Sequence, residues 1–167
     1  EPSPEAAEFA RKERGLDVRT GDVFSAAYPD DSFDVVYLRN VLEHVAEPRA
    51  LAKEVKRILK PGGVAAVHVP NDASFTNAVK RPLYRSGKIP ECGSLFYPIH
   101  LTGFTPRSLD FLFGRVGFDR LDGETLSKVS RAYEFPLVSH DIPLLPLACL
   151  ESLSGRGNLI LRWYARR

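Results

Sequence analysis

Apolar residues recur along this chain with two different periods, and the alternation between those periods predicts its elements. Over residues 48–60, Leu51, Val55, Ile58 and Leu59 stand at i, i+4, i+7 and i+8, the spacing that puts side chains on one helical face. Pro48 suits the first turn of that helix. Lys60 is its expected last residue, because Pro61 clashes with a preceding turn and Gly62 and Gly63 accept the positive φ that reverses a chain. Residues 64–69 are apolar without alternation, as in a strand covered on both faces. Residues 32–38 form a second β-branched and aromatic run, entered through the turn-rich residues 28–31. Strand, helix, turn and strand make a βαβ unit, and right-handed crossover geometry sets its two strands parallel.

The same reading extends to both sides of this unit. Ser3 as cap, Pro4 at the first position and Gly15 at the end predict an opening helix with Ala6, Phe9 and Ala10 on its buried face. Leu16, Val18 and Val23 predict a short strand that runs out at Gly21 and Asp22. Residues 72–104 are irregular and rich in proline, glycine and aromatics, and a segment of that length reads as a cap or substrate-binding insertion. Thr105, Pro106, Leu109, Leu112, Phe113, Val116 and Gly117 predict another capped helix, followed by a strand over 118–126. The apolar run 142–153, broken by Pro143 and Pro146, predicts a buried or interfacial helix. A last strand follows the turn at Gly157 and Asn158.

Composition narrows the class. At 167 residues, with 44% hydrophobic and 26% charged residues, the chain has the size and balance of one globular domain. A formal net charge of +2 gives no ground for a nucleic-acid partner. No run approaches the roughly 20 apolar residues of a membrane span. Cys92 and Cys149 lie far apart with no metal-ligand spacing, so a reducing cytoplasm is the expected setting. There is no methionine, and a helix cap stands two residues from Glu1, so the chain is expected to be a fragment.

Five segments, in order, carry a resemblance: "EPSPEAAEFA", "GDVF", "DDSFDVVYLRNVLEHVAEP", "LKPGGVAAVHVPN" and "IHLTGFTPRSLDFLFGRVGF". Together they resemble the class I S-adenosylmethionine-dependent methyltransferases, nearest the branch that includes the ubiquinone O-methyltransferases. The resemblance implies an α/β, Rossmann-like sheet of strand order 3-2-1-4-5-7-6. This chain would lack the first strand and most of the second, and the family's glycine-rich turn would fall about twenty residues before Glu1. It also implies methyl transfer from S-adenosylmethionine to a small-molecule acceptor, with oxygen as the expected methylated atom. Two rival readings are a non-catalytic binding module of the same fold and an NAD(P)-dependent oxidoreductase or epimerase. The second predicts a helical Y-x-x-x-K pair, and Tyr84 with Lys88 offers that spacing only beside Pro82 and Gly87.

On the resemblance, Glu1 holds the ribose hydroxyls of the cofactor, Asp22 and the backbone of Val23 read the adenine, and Arg39 and Asn40 line the cleft. The alternatives are a frayed terminal charge for Glu1 and an Asx-turn or helix cap for Asp22. His44 is the candidate general base, against the alternative of a packed capping histidine. Glu43 is expected to face solvent or to orient His44. His100 would contact the acceptor or satisfy a loop carbonyl, and His68 reads as a core residue. Lys80, Arg81, Arg85 and Lys88 form a basic cluster, either a solvated surface or a site for an anionic acceptor, with Arg81 and Arg85 the candidate contacts. The ubiquinone enzymes have a glutamate where Asn40 stands, part of a proposed metal group with the acid and imidazole matching Glu43 and His44, so no metal is expected.

Overall fold

The computed structural model describes residues 1–89, 99–126, 150 and 153–167. Its elements are α1 (Pro4–Arg14), β1 (Phe33–Arg39), a 3₁₀ turn (Leu42–His44), α2 (Pro48–Ile58), β2 (Leu59–Pro70), α3 (Phe75–Arg85), α4 (Pro106–Val116), β3 (Phe118–Leu126) and β4 (Leu159–Arg166). The four strands form one sheet in the order β1-β2-β4-β3. β1 and β2 are parallel, and β4 runs antiparallel to both of its neighbours. This is the 4-5-7-6 half of the expected order, so the α/β sheet is the one the sequence predicts.

The helix face read from the sequence is the one that packs. Leu51, Ala52, Val55 and Ile58 of α2 are buried, and with Leu109 and Phe113 of α4 they cover one face of β2 and β4. β2 is buried without interruption from Ala65 to Val69, as its unalternating sequence requires. Phe113 stacks on Tyr164 with ring centroids 4.4 Å apart, and Phe118 packs against Phe113 at 5.3 Å. The Tyr164 hydroxyl donates to Asp110 Oδ1 at 2.8 Å, which gives the one polar atom of this stack a partner. Burial and that bond raise the Tyr164 pKa far above its ordinary value.

Several expectations need correction. α2 ends at Ile58, and the Pro61–Gly63 turn lies inside β2 as an irregularity, because the register jumps from Phe33↔Leu59 to Val35↔Val64. Gly62 takes φ 76° there, and a Cβ on Gly63 would come within 2.9 Å of the Lys60 carbonyl oxygen. The buried residue of α1 is Ala7, while Phe9 is 56% exposed and Ala6 is exposed too; the expected face was one residue out of phase. The short strand expected over 16–22 is not formed, since no described strand lies beside the outer edge of β1. The irregular segment 72–104 contains α3, capped by Ser74, whose hydroxyl accepts from Asn77 N–H, and tolerating Pro82 in its interior. Most of the run 142–153, together with Cys92, Cys149 and His140, lies outside the described residues.

Candidate functional site

The candidates from the sequence fall into two groups, Glu1, Asp22 and Val23 in one and Arg39, Asn40, His44 and His100 in the other. The first is built by the backbone of the amino terminus. The Glu1 amino group donates to the Arg19 carbonyl at 3.0 Å, and Gly21 N–H donates to the Glu1 carbonyl at 2.9 Å. These bonds set Glu1 alongside Asp22. The Glu1 carboxylate accepts from Ser3 N–H at 3.1 Å. Asp22 Oδ1 accepts from Ser25 N–H at 2.7 Å, and Ser25 Oγ accepts from Asp22 N–H at 2.9 Å. Those backbone and hydroxyl bonds from Ser25 hold the Asp22 carboxyl below its usual range, so it is a ready acceptor at neutral pH. Val23 is half-buried against the core.

The second group starts where β1 stops. Arg39 is its last residue and pairs in register with His68 of β2. Asn40 then takes φ 51° and donates its N–H to the His68 carbonyl at 2.9 Å, which turns the chain sharply off the sheet. In the 3₁₀ turn that follows, Leu42 enters the core, Glu43 is 2% exposed and His44 stays accessible. The Glu43 carbonyl accepts from both Leu101 N–H (2.7 Å) and Thr102 N–H (3.2 Å), so the loop before α4 is fastened to the turn after β1. This brings His100 against His44, ring centroids 4.8 Å apart.

His44 Nδ1 lies 2.8 Å from the Ile99 carbonyl oxygen. A carbonyl only accepts, so Nδ1 carries the proton and the neutral ring keeps its lone pair on Nε2. Nε2 stands 3.8 Å from Glu43 Oε1. Burial pushes the Glu43 carboxyl's pKa up against its own backbone N–H and the pull of the two imidazoles, and neither carboxylate oxygen makes a hydrogen bond of normal geometry. The expectation that Glu43 faces solvent is therefore corrected. Sequence periodicity does not reveal this, because a three-residue turn has no repeating face.

The remaining candidates are more scattered. Arg81 is tied to Asp72, with 2.9 Å to the carboxylate and 3.0 Å to the carbonyl oxygen. Arg85 ends α3 in an exposed position, and Lys88 follows beyond it. His68 is 4% exposed in β2, as expected of a core residue. A cleft of about 480 Å³ opens beside Asn71, Ala73, Thr105 and Arg156, and none of the candidate binding or catalytic residues lines it. No helix among the described residues is long and apolar enough to cross a membrane.

Residues 1–67 match the family described as a methyltransferase domain. A probable S-adenosylmethionine-dependent methyltransferase of Mycolicibacterium smegmatis is 37% identical over 68 residues, which cover 41% of this chain and 26% of that protein. A ubiquinone/menaquinone biosynthesis C-methyltransferase of Bdellovibrio bacteriovorus is 40% identical over 58 residues, 34% of this chain and 25% of that one. The matched stretches thus span about a quarter of these curated relatives. Among solved structures, an S-adenosylmethionine-dependent methyltransferase of Thermotoga maritima, described as a possible histamine N-methyltransferase, superposes with a TM-score of 0.66 at 24% identity. That superposition covers 100% of this chain and 72% of that one.

Proposed function

We propose that this chain belongs to the S-adenosylmethionine-dependent methyltransferase family and that the protein carrying it methylates a small-molecule acceptor at oxygen. When bound, S-adenosylmethionine supplies a methyl group on a sulfonium, open to in-line displacement. What supports the adenosine end is the backbone pairing of Glu1 with Gly21, which makes neighbours of an acid suited to two ribose hydroxyls and an acid suited to an exocyclic amine. Arg39 and Asn40 flank the approach from the end of β1. The acceptor would lie toward His100, with Arg81 and Arg85 drawing in an anionic group if it carries one.

The observation that carries the choice of oxygen is the tautomer of His44. Its Nδ1–H is committed to the Ile99 carbonyl, so Nε2 is free to take a hydroxyl proton as the acceptor oxygen becomes a nucleophile. A carbon acceptor needs no such base at a hydroxyl, and curated relatives include sterol and quinone C-methyltransferases. In the full-length protein, Glu1→Ala and Asp22→Ala should each weaken S-adenosylhomocysteine binding by at least tenfold in calorimetry. His44→Ala should leave that binding intact while lowering the turnover of a phenolic acceptor by about 10²–10⁴-fold. A product carrying its new methyl on carbon would refute the oxygen assignment, and absence of cofactor binding would favour the non-catalytic module.

A further inference from the structure

We propose that the cleft beside Asn71 and Thr105 holds an oxyanion, a carboxylate or a phosphate, carried by the acceptor. Its volume of about 480 Å³ is that of a small-molecule site, and two guanidinium groups, Arg107 and Arg156, line it with no carboxylate among the lining residues. Topology puts it at the same end of the sheet to which β1 delivers Arg39 and Asn40. Asn71 follows β2, Thr125 stands near the end of β3, Arg156 precedes the antiparallel β4, and Thr105 caps α4. This is the edge of an open α/β sheet at which ligands bind.

The walls are fixed by bonds that engage their own neutral polar groups. Asn71, 2% exposed, donates from Nδ2 to the Gly157 carbonyl at 2.6 Å and accepts at Oδ1 from Ala73 N–H at 3.0 Å. Thr125 Oγ1 donates to the Gly155 carbonyl at 2.6 Å and accepts from Gly157 N–H at 3.3 Å. The Thr105 hydroxyl accepts from Ser108 N–H at 3.1 Å. Positive donors are what remain in surplus. Arg156 directs Nε and Nη2 to the Ala73 carbonyl, at 3.2 and 3.0 Å, which fixes its guanidinium plane and leaves the Nη1 edge uncommitted among the described residues. The Arg107 side chain has no hydrogen bond or ion pair with any described residue. It stands in the first turn of α4, where the positive end of the helix disfavours a cation and no acid offsets it. Neighbouring acids do not supply the missing charge: Asp72 is paired with Arg81 at 2.9 Å, and Glu124 lies on the opposite face of β3 from Thr125. One oxyanion between the two guanidinium groups satisfies both through charge-assisted, forked bonds.

That the anion belongs to the acceptor rests on the methyl-transfer reading. Residues 100–105 run from His100 to the wall of the cleft, fastened to the Glu43 carbonyl by Leu101 and Thr102 N–H and to Asp72 N–H by the Phe104 carbonyl. Five residue steps span at most about 18 Å. The acceptor class is therefore a hydroxylated ring or short chain bearing a carboxylate or phosphate within that reach of the methylated oxygen. Arg81 and Arg85 attract such a molecule, and the cleft arginines seat it. The test is calorimetry on the full-length protein with phenyl phosphate, benzoate and uncharged phenol as probes. At least one of the two anions should bind once per chain and at least tenfold more tightly than phenol, and the tighter one assigns phosphate or carboxylate. Arg107→Ala should weaken that anion by tenfold or more and Arg107→Lys by less, while Arg85→Ala should cost under threefold. Arg107 is exposed and holds no other segment, so its alanine variant should keep the parent's circular dichroism even if Arg156→Ala, which releases Ala73, does not. Absence of anion binding, an affinity within twofold of the parent in Arg107→Ala, or a loss in Arg85→Ala equal to that in Arg107→Ala overturns the proposal. S-adenosylhomocysteine binding in the same samples is a separate readout. Anion binding without cofactor binding supports the cleft and counts against methyl transfer, whereas cofactor binding without anion binding removes the cleft alone.

Discussion

α1 and α4 are written in the same local grammar and meet different fates. Each has 11 residues, a hydroxyl cap (Ser3 or Thr105), proline in the first turn and a left-handed glycine at the end (Gly15 or Gly117). α4 buries Leu109 and Phe113 against the sheet, whereas α1 buries only Ala7 and leaves Phe9 in solvent. Caps and breakers thus decide where a helix starts and stops. What it contributes to stability depends on whether a partner surface lies across its apolar stripe. For α4 that surface is Tyr164 and Phe118; for α1, among the described residues, it is little more than the turn at 16–21.

The comparison breaks most visibly at its packed end. Phe113→Ala should lower unfolding stability by about 3–5 kcal/mol, because it removes a ring stacked on Tyr164 and leaves a cavity. Urea denaturation reads this directly, and a loss below 1 kcal/mol would mean that the aromatic stack is not the anchor of α4. Tyr164→Phe keeps the ring and deletes the bond to Asp110, so about 1 kcal/mol is expected in the same assay. Thr105→Ala should cost a similar ~1 kcal/mol, since the hydroxyl caps the Ser108 N–H at the head of a helix that is part of the core. Ser3→Ala deletes the same chemistry from α1, yet the global transition should move by under about 0.5 kcal/mol, with the loss visible instead as faster amide exchange in α1. Phe9→Ala should change nothing beyond about 0.5 kcal/mol. A cost of 2 kcal/mol there would show that something covers α1 in solution and would erase the contrast.

The same contrast explains how far the sequence could be read. α2, α4, β2 and β4 were legible because each has a periodic or unbroken apolar pattern and a partner for it. The face of α1 was misread by one position because alanines and a lone phenylalanine give no clear stripe, and nothing packed over Phe9 to select one. The strand expected at 16–22 had its side-chain pattern but no ladder, and a strand is defined by its neighbour. α3 was hidden by Pro82, whose missing N–H is a weak obstacle when Ser74 caps the helix and Asn77 bonds back to the Asn71 carbonyl. In the candidate site, Glu1, Asp22 and His44 were candidates by resemblance to a known family. The burial of Glu43 and its meeting with His100 could not be read from the sequence, since they depend on backbone bonds between residues more than fifty positions apart.

β4 sits between β2 and β3, so the third place in the sheet belongs to the strand that the ribosome makes last of the four. Until Arg166 has emerged, β2 shows one unpaired border and β3 has no mate at all. The nascent molecule must hold its hydrophobic interior half-made through nearly a hundred residues of synthesis, from Pro70 to Arg166. A chaperone that shields open strand borders, or a pause late in translation, would therefore alter the yield of this protein more than that of one whose sheet closes in order.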